Sequence, residues 1–87
     1  MSKTKHVRVY VTPKQGILDP QGVAIERSLP ALGFGGVSGV RVGKFIELEL
    51  PAGTPPDKAR EAVDEMCKKL LANPIIEDFT FAIDDEQ

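Results

Sequence analysis

The sequence predicts one small α+β domain on three observations. A strictly alternating valine segment lies near the N-terminus, two stretches of helical periodicity each open on prolines, and a second alternating segment, rich in phenylalanine, lies near the C-terminus. With 87 residues, 41% of them hydrophobic, and no long apolar run, the chain has material for one core, so residues 1–87 are read as a single domain.

Val7, Val9 and Val11 alternate with Arg8, Tyr10 and Thr12, which predicts a strand with one buried face that Pro13 ends. Asp19-Pro20 reads as an N-cap followed by proline at the first helical position, where no amide donor is missed. Ile25, Leu29 and Leu32 then share a helical face, and Gly33 suits a left-handed C-terminal residue, so a helix is expected from Pro20 to Leu32. Pro30 falls inside it and predicts a bent or early-ended last turn. After the glycine-rich stretch 34–39, Val40-Arg41-Val42, Gly43-Lys44 and Phe45 to Leu50 read as strand, tight turn and strand. Gly43 would supply the positive φ of a type II′ hairpin.

Thr54-Pro55-Pro56-Asp57 predicts a capped helix start. Ala59, Ala62, Val63, Met66 and Leu70 continue the helix at helical spacing to about Ala72, where Asn73-Pro74 stops it. Asp64 with Lys68 and Glu65 with Lys69 place acid before base four residues apart on its outer side. The last strand is expected over Ile75 to Ile83, with Phe79, Phe81 and Ile83 on one face. Residues 1–6 and 84–87 are expected to be flexible tails. The order βαββαβ implies a four-stranded, mainly antiparallel sheet with two helices on one face, the ferredoxin-like arrangement.

A domain this short buries only roughly 60–65% of the surface its unfolded chain exposes, and small domains usually add a staple. One cysteine, Cys67, makes no internal disulfide, and with His6 it makes no closed zinc site. Self-association or a partner is the remaining staple. A net charge of −2 lacks the basic excess that nucleic acid or an anionic membrane requires. Met1 to His6 are polar and basic without a following apolar segment, so no signal peptide or membrane span is expected. An unpaired thiol agrees with a cytoplasmic location.

The candidate chemical motifs resolve into structural ones. Gly33, Gly35, Gly36 and Gly39 follow a helix and lack the spacing of a dinucleotide fingerprint. Gly43-Lys44 is followed by Phe45 instead of Ser or Thr, so it is no phosphate loop. His6 has no partner at a defined spacing. Cys67 sits near an apolar stripe with nothing to lower its pKa. Glu47 and Glu49 share a strand face that reads as solvated or subunit-facing, with no second polar group converging on them. Arg41, Lys44 and Lys14 lie on or near turns, and two readings stay open for them: ordinary surface charge, or a docking hairpin.

Four phrases occur in order along the chain: Lys14 to Gly22 (KQGILDPQG), Leu32-Gly33-Phe34, Val40 to Leu48 (VRVGKFIEL), and Leu70 to Phe79 (LLANPIIEDF). In this order and spacing the chain, from about Val7 to Ala82, resembles the PurS family, the small subunit of phosphoribosylformylglycinamidine synthase. Pro30 and Gly35-Gly36 are local departures. The resemblance implies a noncatalytic subunit of an ATP-dependent amidoligase complex of purine biosynthesis. In that complex PurQ hydrolyses glutamine, and PurL uses ATP and magnesium to convert formylglycinamide ribonucleotide to its amidine. The PurS-like chain, a homodimer or tetramer, joins PurQ to PurL and supports ammonia transfer. No cofactor is expected on this chain alone. By position, Arg41, Val42, Gly43, Lys44 and Phe45, with Gly16, Asp19 and Pro20, are the expected assembly contacts. A rival from another class is a ferredoxin-like regulatory module binding a small ligand between two copies.

The isolated chain is expected to show neither glutaminase nor ATP-dependent amidation activity, and to restore glutamine-dependent synthesis when added to PurL and PurQ. Turnover of either substrate by the purified chain above background would refute the noncatalytic reading.

Overall fold

The computed structural model describes residues 4–85. Within them β1 (Lys5–Pro13) is followed by α1 (Pro20–Ser28), β2 (Lys44–Leu50), α2 (Pro56–Met66) and β3 (Glu77–Asp85). The three strands form one antiparallel sheet in the order β2-β1-β3. The alternation of β1 sets the core: Val7 lies opposite Leu48 and Ile83, and Val9 opposite Ile46 and Phe81. Val7, Val9 and Val11 are buried on one face. Ala59, Val63 and Cys67 of α2 and its C-terminal extension close over them, with Met66, Leu71, Phe79, Phe81 and Ile83 around the edge.

Two expectations about architecture are corrected. First, the sheet has three strands among the described residues, because 40–43 form no strand and the Gly43-Lys44 hairpin is absent. The amides a ladder would have used are taken by carboxylates: Val40 N donates to Glu26 Oε1 at 3.1 Å and Val42 N to Asp19 Oδ2 at 2.7 Å. Second, α1 does not lie beside α2 on the sheet. Gly22 is its one buried residue, and the molecule extends over 51 × 29 × 14 Å. The radius of gyration is 16.9 Å, against about 12 Å for a compact domain of this length.

Local boundaries follow identifiable groups. Helix α1 starts at Pro20, as expected, and stops at Ser28; Pro30–Leu32 forms a single 3₁₀ turn that ends on Gly33 at φ 96°. The early stop is the bend that Pro30 requires. Thr54 does not cap α2: its hydroxyl donates to Pro51 O at 2.7 Å, and Pro55 holds the N-cap position. The end of α2 widens into a π turn over Cys67–Leu71, closed by Ala72 N donating to Cys67 O at 2.9 Å. That extra residue in the turn rotates the register. Leu70, expected in the core, is 81% exposed, while Cys67 and Ala72 are buried. Burial raises the Cys67 thiol above its ordinary pKa, and nearby Asp64 adds to the effect. The Asp64–Lys68 and Glu65–Lys69 pairs form as expected, at 2.8 and 3.4 Å.

Strand β3 starts two residues later than expected because Asn73 organises a turn. Its carbonyl accepts from Ile76 N and Glu77 N, and its side chain accepts from Ile75 N. Both sheet ends run further than expected. His6 belongs to β1 and Asp84 to β3, and His6 Nε2 lies 3.1 Å from Glu47 Oε2 while Arg8 pairs with Asp84. Met1 to Lys3 and the last two residues of the expected tails lie outside the described residues.

Val63→Ala, which empties a fully buried position, is expected to lower unfolding free energy by about 1–3 kcal/mol. Leu70→Ser should change it by less than about 0.5 kcal/mol. Urea unfolding followed by circular dichroism compares the two, and a larger loss from Leu70→Ser would contradict the π-turn register.

Candidate functional site

The residues singled out by sequence fall into three places. Gly16 and Asp19 meet Arg41 at the end of the sheet where β1 finishes, and there they line an open cavity of about 460 Å³ with Lys14, Gln15, Ile17, Leu18, Val23, Gly39 and Val40. Pro20 begins the helix just behind Asp19. Val42 and Gly43 form the lead-in to β2, and Lys44 is its first residue. Phe45 points to the opposite side of the sheet, where its ring stacks on Tyr10 with centroids 5.2 Å apart.

Asp19 ties the cavity together. One carboxylate oxygen accepts from Gly22 N at 3.1 Å, capping α1, and the other accepts from Val42 N at 2.7 Å, holding the lead-in to β2 across the helix start. These hydrogen bonds to the charged form, the Val42 amide first and Gly22 second, hold the Asp19 carboxyl below its ordinary 3.8. Two glycines allow the close approach. A Cβ on Gly22 would sit 2.4 Å from Val40 O, and one on Gly43 would sit 2.1 Å from Val11 O. Glu26 adds a second tie through Val40 N. Sequence reading missed Glu26 and Gly22, although Asp19, Gly22 and Glu26 at i, i+3 and i+7 share one helical stripe.

Arg41 and Lys44 are held by backbone oxygens at the same end of the sheet, and Lys14 by a carboxylate. Arg41 Nη1 donates to Pro13 O at 3.0 Å. Lys44 Nζ donates to Leu71 O at 3.3 Å, at the carbonyl end of the helical segment, where a positive charge is favoured. Lys14 Nζ lies 2.7 Å from Asp78 Oδ1, and Lys14 N donates to Ile76 O at 2.9 Å, which brings the turn before β3 to the cavity's rim. Among the described residues there is no group of three or more His, Cys, Asp or Glu placed to hold a metal ion, and no helix is long and apolar enough to cross a membrane.

A carboxylate committed to two backbone amides, with an arginine oriented by a carbonyl beside a hollow of mixed polar and apolar lining, is a joint that sets two chain segments in place and presents a surface. The class this defines is a small assembly subunit. The family model for PurS, phosphoribosylformylglycinamidine (FGAM) synthase, matches residues 6–85. The chain is 48% identical to the PurS subunit of Synechocystis sp. over 95% of its own length and 82% of that relative's. It is 40% identical to the Bacillus subtilis PurS subunit over 91% of its length and 92% of that chain's. The fold matches the solved structure of B. subtilis PurS with a TM-score of 0.75 at 40% identity, covering 92% of this chain and 98% of that one. It also matches a chain in the structure of PurLQS from Thermotoga maritima, with a TM-score of 0.78 at 34% identity and coverage of 95% and 99%. The chain belongs to the PurS family and is a PurS subunit of FGAM synthase.

Because its pKa is lowered on folding, Asp19 contributes stability that is fully present above its ordinary 3.8 and is lost as pH falls through the folded value. Urea midpoints measured from pH 7 to pH 2 should therefore show a constant gap between wild type and Asp19→Asn above about pH 5, narrowing in acid. A gap that widened in acid would contradict the two-amide role. Gly43→Ala should cost about 1–3 kcal/mol, because the backbone of β1 must give way to the added methyl.

Proposed function

We propose that this chain works as the noncatalytic bridging subunit of a glutamine-dependent FGAM synthase, associating with itself and with PurL-type and PurQ-type subunits and supporting ammonia transfer between them. The reaction converts formylglycinamide ribonucleotide, glutamine and ATP to the amidine, glutamate, ADP and phosphate. ATP and magnesium are used by the PurL subunit, and the setting is the cytoplasm. The observation that carries this reading is the arm formed by α1 and the residues after it, which projects from the sheet with its apolar side uncovered.

Ile25 on α1 is 45% exposed, Leu32 70% and Phe34 57%, and Val37 continues the stripe. Exposing several large apolar side chains on one arm of an 87-residue chain is unfavourable unless they are covered. The helix-bearing face of the sheet has the complementary deficit, since Ile46 and Leu48 of β2 are only partly buried there. The reading is a reciprocal exchange in which α1 of each copy lies beside α2 on the sheet of the other, a self-complementary two-fold contact. The ferredoxin-like arrangement of two helices on one face, absent within one chain, would be reached between two. The residues named from sequence divide in this reading: Asp19, Val42 and Gly43 hold the joint with Pro20 at the helix start behind it, Lys44 ties the start of β2 to Leu71 O, Gly16 and Arg41 stand at the outward cavity, and Phe45 lies on the open face of the sheet.

Sedimentation equilibrium at micromolar concentration should give a dimer or larger, and Ile25→Glu with Phe34→Ser should shift it toward monomer while α2 and the sheet stay folded by circular dichroism. Wild-type chain mixed with purified PurL and PurQ from the same organism should co-elute with them. A wild-type chain that stayed monomeric and bound neither subunit would refute the proposal.

A further inference from the structure

We infer that the cavity between residues 14–19 and 39–41 is the docking site for an acidic segment of a partner subunit, with Arg41 receiving its carboxylate and Ile17, Leu18 and Val23 receiving an adjacent apolar side chain. The inference rests on the subunit reading above and adds the surface used and the chemistry of what binds there.

Charge is the first argument. Four cations of the described residues already face a carboxylate: Arg8 with Asp84, Lys14 with Asp78, Lys68 with Asp64 and Lys69 with Glu65. Of the two cations that line the cavity, Lys14 is thus paired, whereas the hydrogen bond of Arg41 goes to a neutral carbonyl, Pro13 O. A guanidinium has five N–H donors in a fixed fork, so one such bond orients the group and leaves donors for a bidentate carboxylate. Asp19, the carboxylate that lines the same cavity, has one oxygen committed to Gly22 N and the other to Val42 N. The remaining donors of Arg41 are open to a carboxylate brought by a partner.

Apolar surface is the second argument. Leu18 is 79% exposed and Ile17 and Val23 about 40% each, at 39% and 38%. Val23 is two residues from Ile25, roughly 200° around the helix, so this surface is separate from the stripe assigned to self-association. The cavity, at about 460 Å³, suits one or two side chains of a docking segment. The joint around Asp19 fixes both walls in advance, so little ordering is required on binding.

The test uses the full chain with purified PurL and PurQ subunits of the same organism, and measures affinity by titration calorimetry alongside self-association by sedimentation. Arg41→Gln and, separately, Leu18→Ser are each expected to weaken binding to one of these subunits by about tenfold or more, with the self-association of wild type retained. Arg60→Gln on the exposed side of α2 serves as the control and should bind as wild type does. For Arg41→Gln the dependence of binding on salt should also flatten, because one charge contact is gone. Wild-type affinity in both cavity variants overturns the inference while leaving the subunit reading intact. Loss of self-association in the cavity variants assigns the cavity to a second copy and overturns it too. A wild-type chain that binds neither subunit removes the subunit reading itself, and this inference with it.

Discussion

The arrangement of this chain depends on one carboxylate. Asp19 caps α1 through Gly22 N and grips the segment entering β2 through Val42 N, so two parts of the chain separated by more than twenty residues share a single anchor. The helix and the strand lead-in are therefore tied to each other, although α1 contributes almost nothing to the sheet's core. Gly22 and Gly43 are required by the same contact, since a methyl group at either would meet a main-chain oxygen. What looks in sequence like a helix cap, DPQG, and a turn, VRVGK, is one joint.

The joint explains why the protein is divided into a compact part and a projecting part. Three valines of β1, the inner face of α2 and the aromatic side of β3 form a two-layer core that needs nothing from α1. Beyond the joint, α1 and the turn after it present apolar side chains on a frame fixed by backbone hydrogen bonds. A rigid arm of this kind suits association, because the ordering cost has been met within the chain before a partner arrives.

Much of this was legible in the sequence, and the parts that were not share a cause. Val7, Val9 and Val11 declared their strand because one face of an antiparallel sheet must alternate, and Asp19-Pro20 declared the start of α1 because its cap is local. Pro30 announced the early end of that helix. The hairpin at Gly43 was misread because the amides of Val40 and Val42 are claimed by carboxylates 14 and 23 residues earlier in the chain, which no local pattern records. Leu70 was misplaced for a similar reason: i to i+5 hydrogen bonding around Cys67 turns it outward, and helical periodicity assumes that no such bonding intervenes. Of the site residues, Gly16, Asp19 and Arg41 converge, while Lys44 and Phe45 diverge because neighbours on a strand point to opposite faces.

The π turn has a chemical consequence at its first residue. Cys67 is fully enclosed where the helix widens, and its thiol is held in the protonated form by burial and by Asp64. Thiolate is the reactive species toward disulfides and alkylating reagents, so the native chain offers almost none. Reaction at Cys67 therefore proceeds through moments when the end of α2 opens, and its rate reads the free energy of that local opening in the way amide exchange does for a backbone proton. The protein thus carries, in its one sulfhydryl, an internal gauge of how firmly the helix end is seated on the sheet.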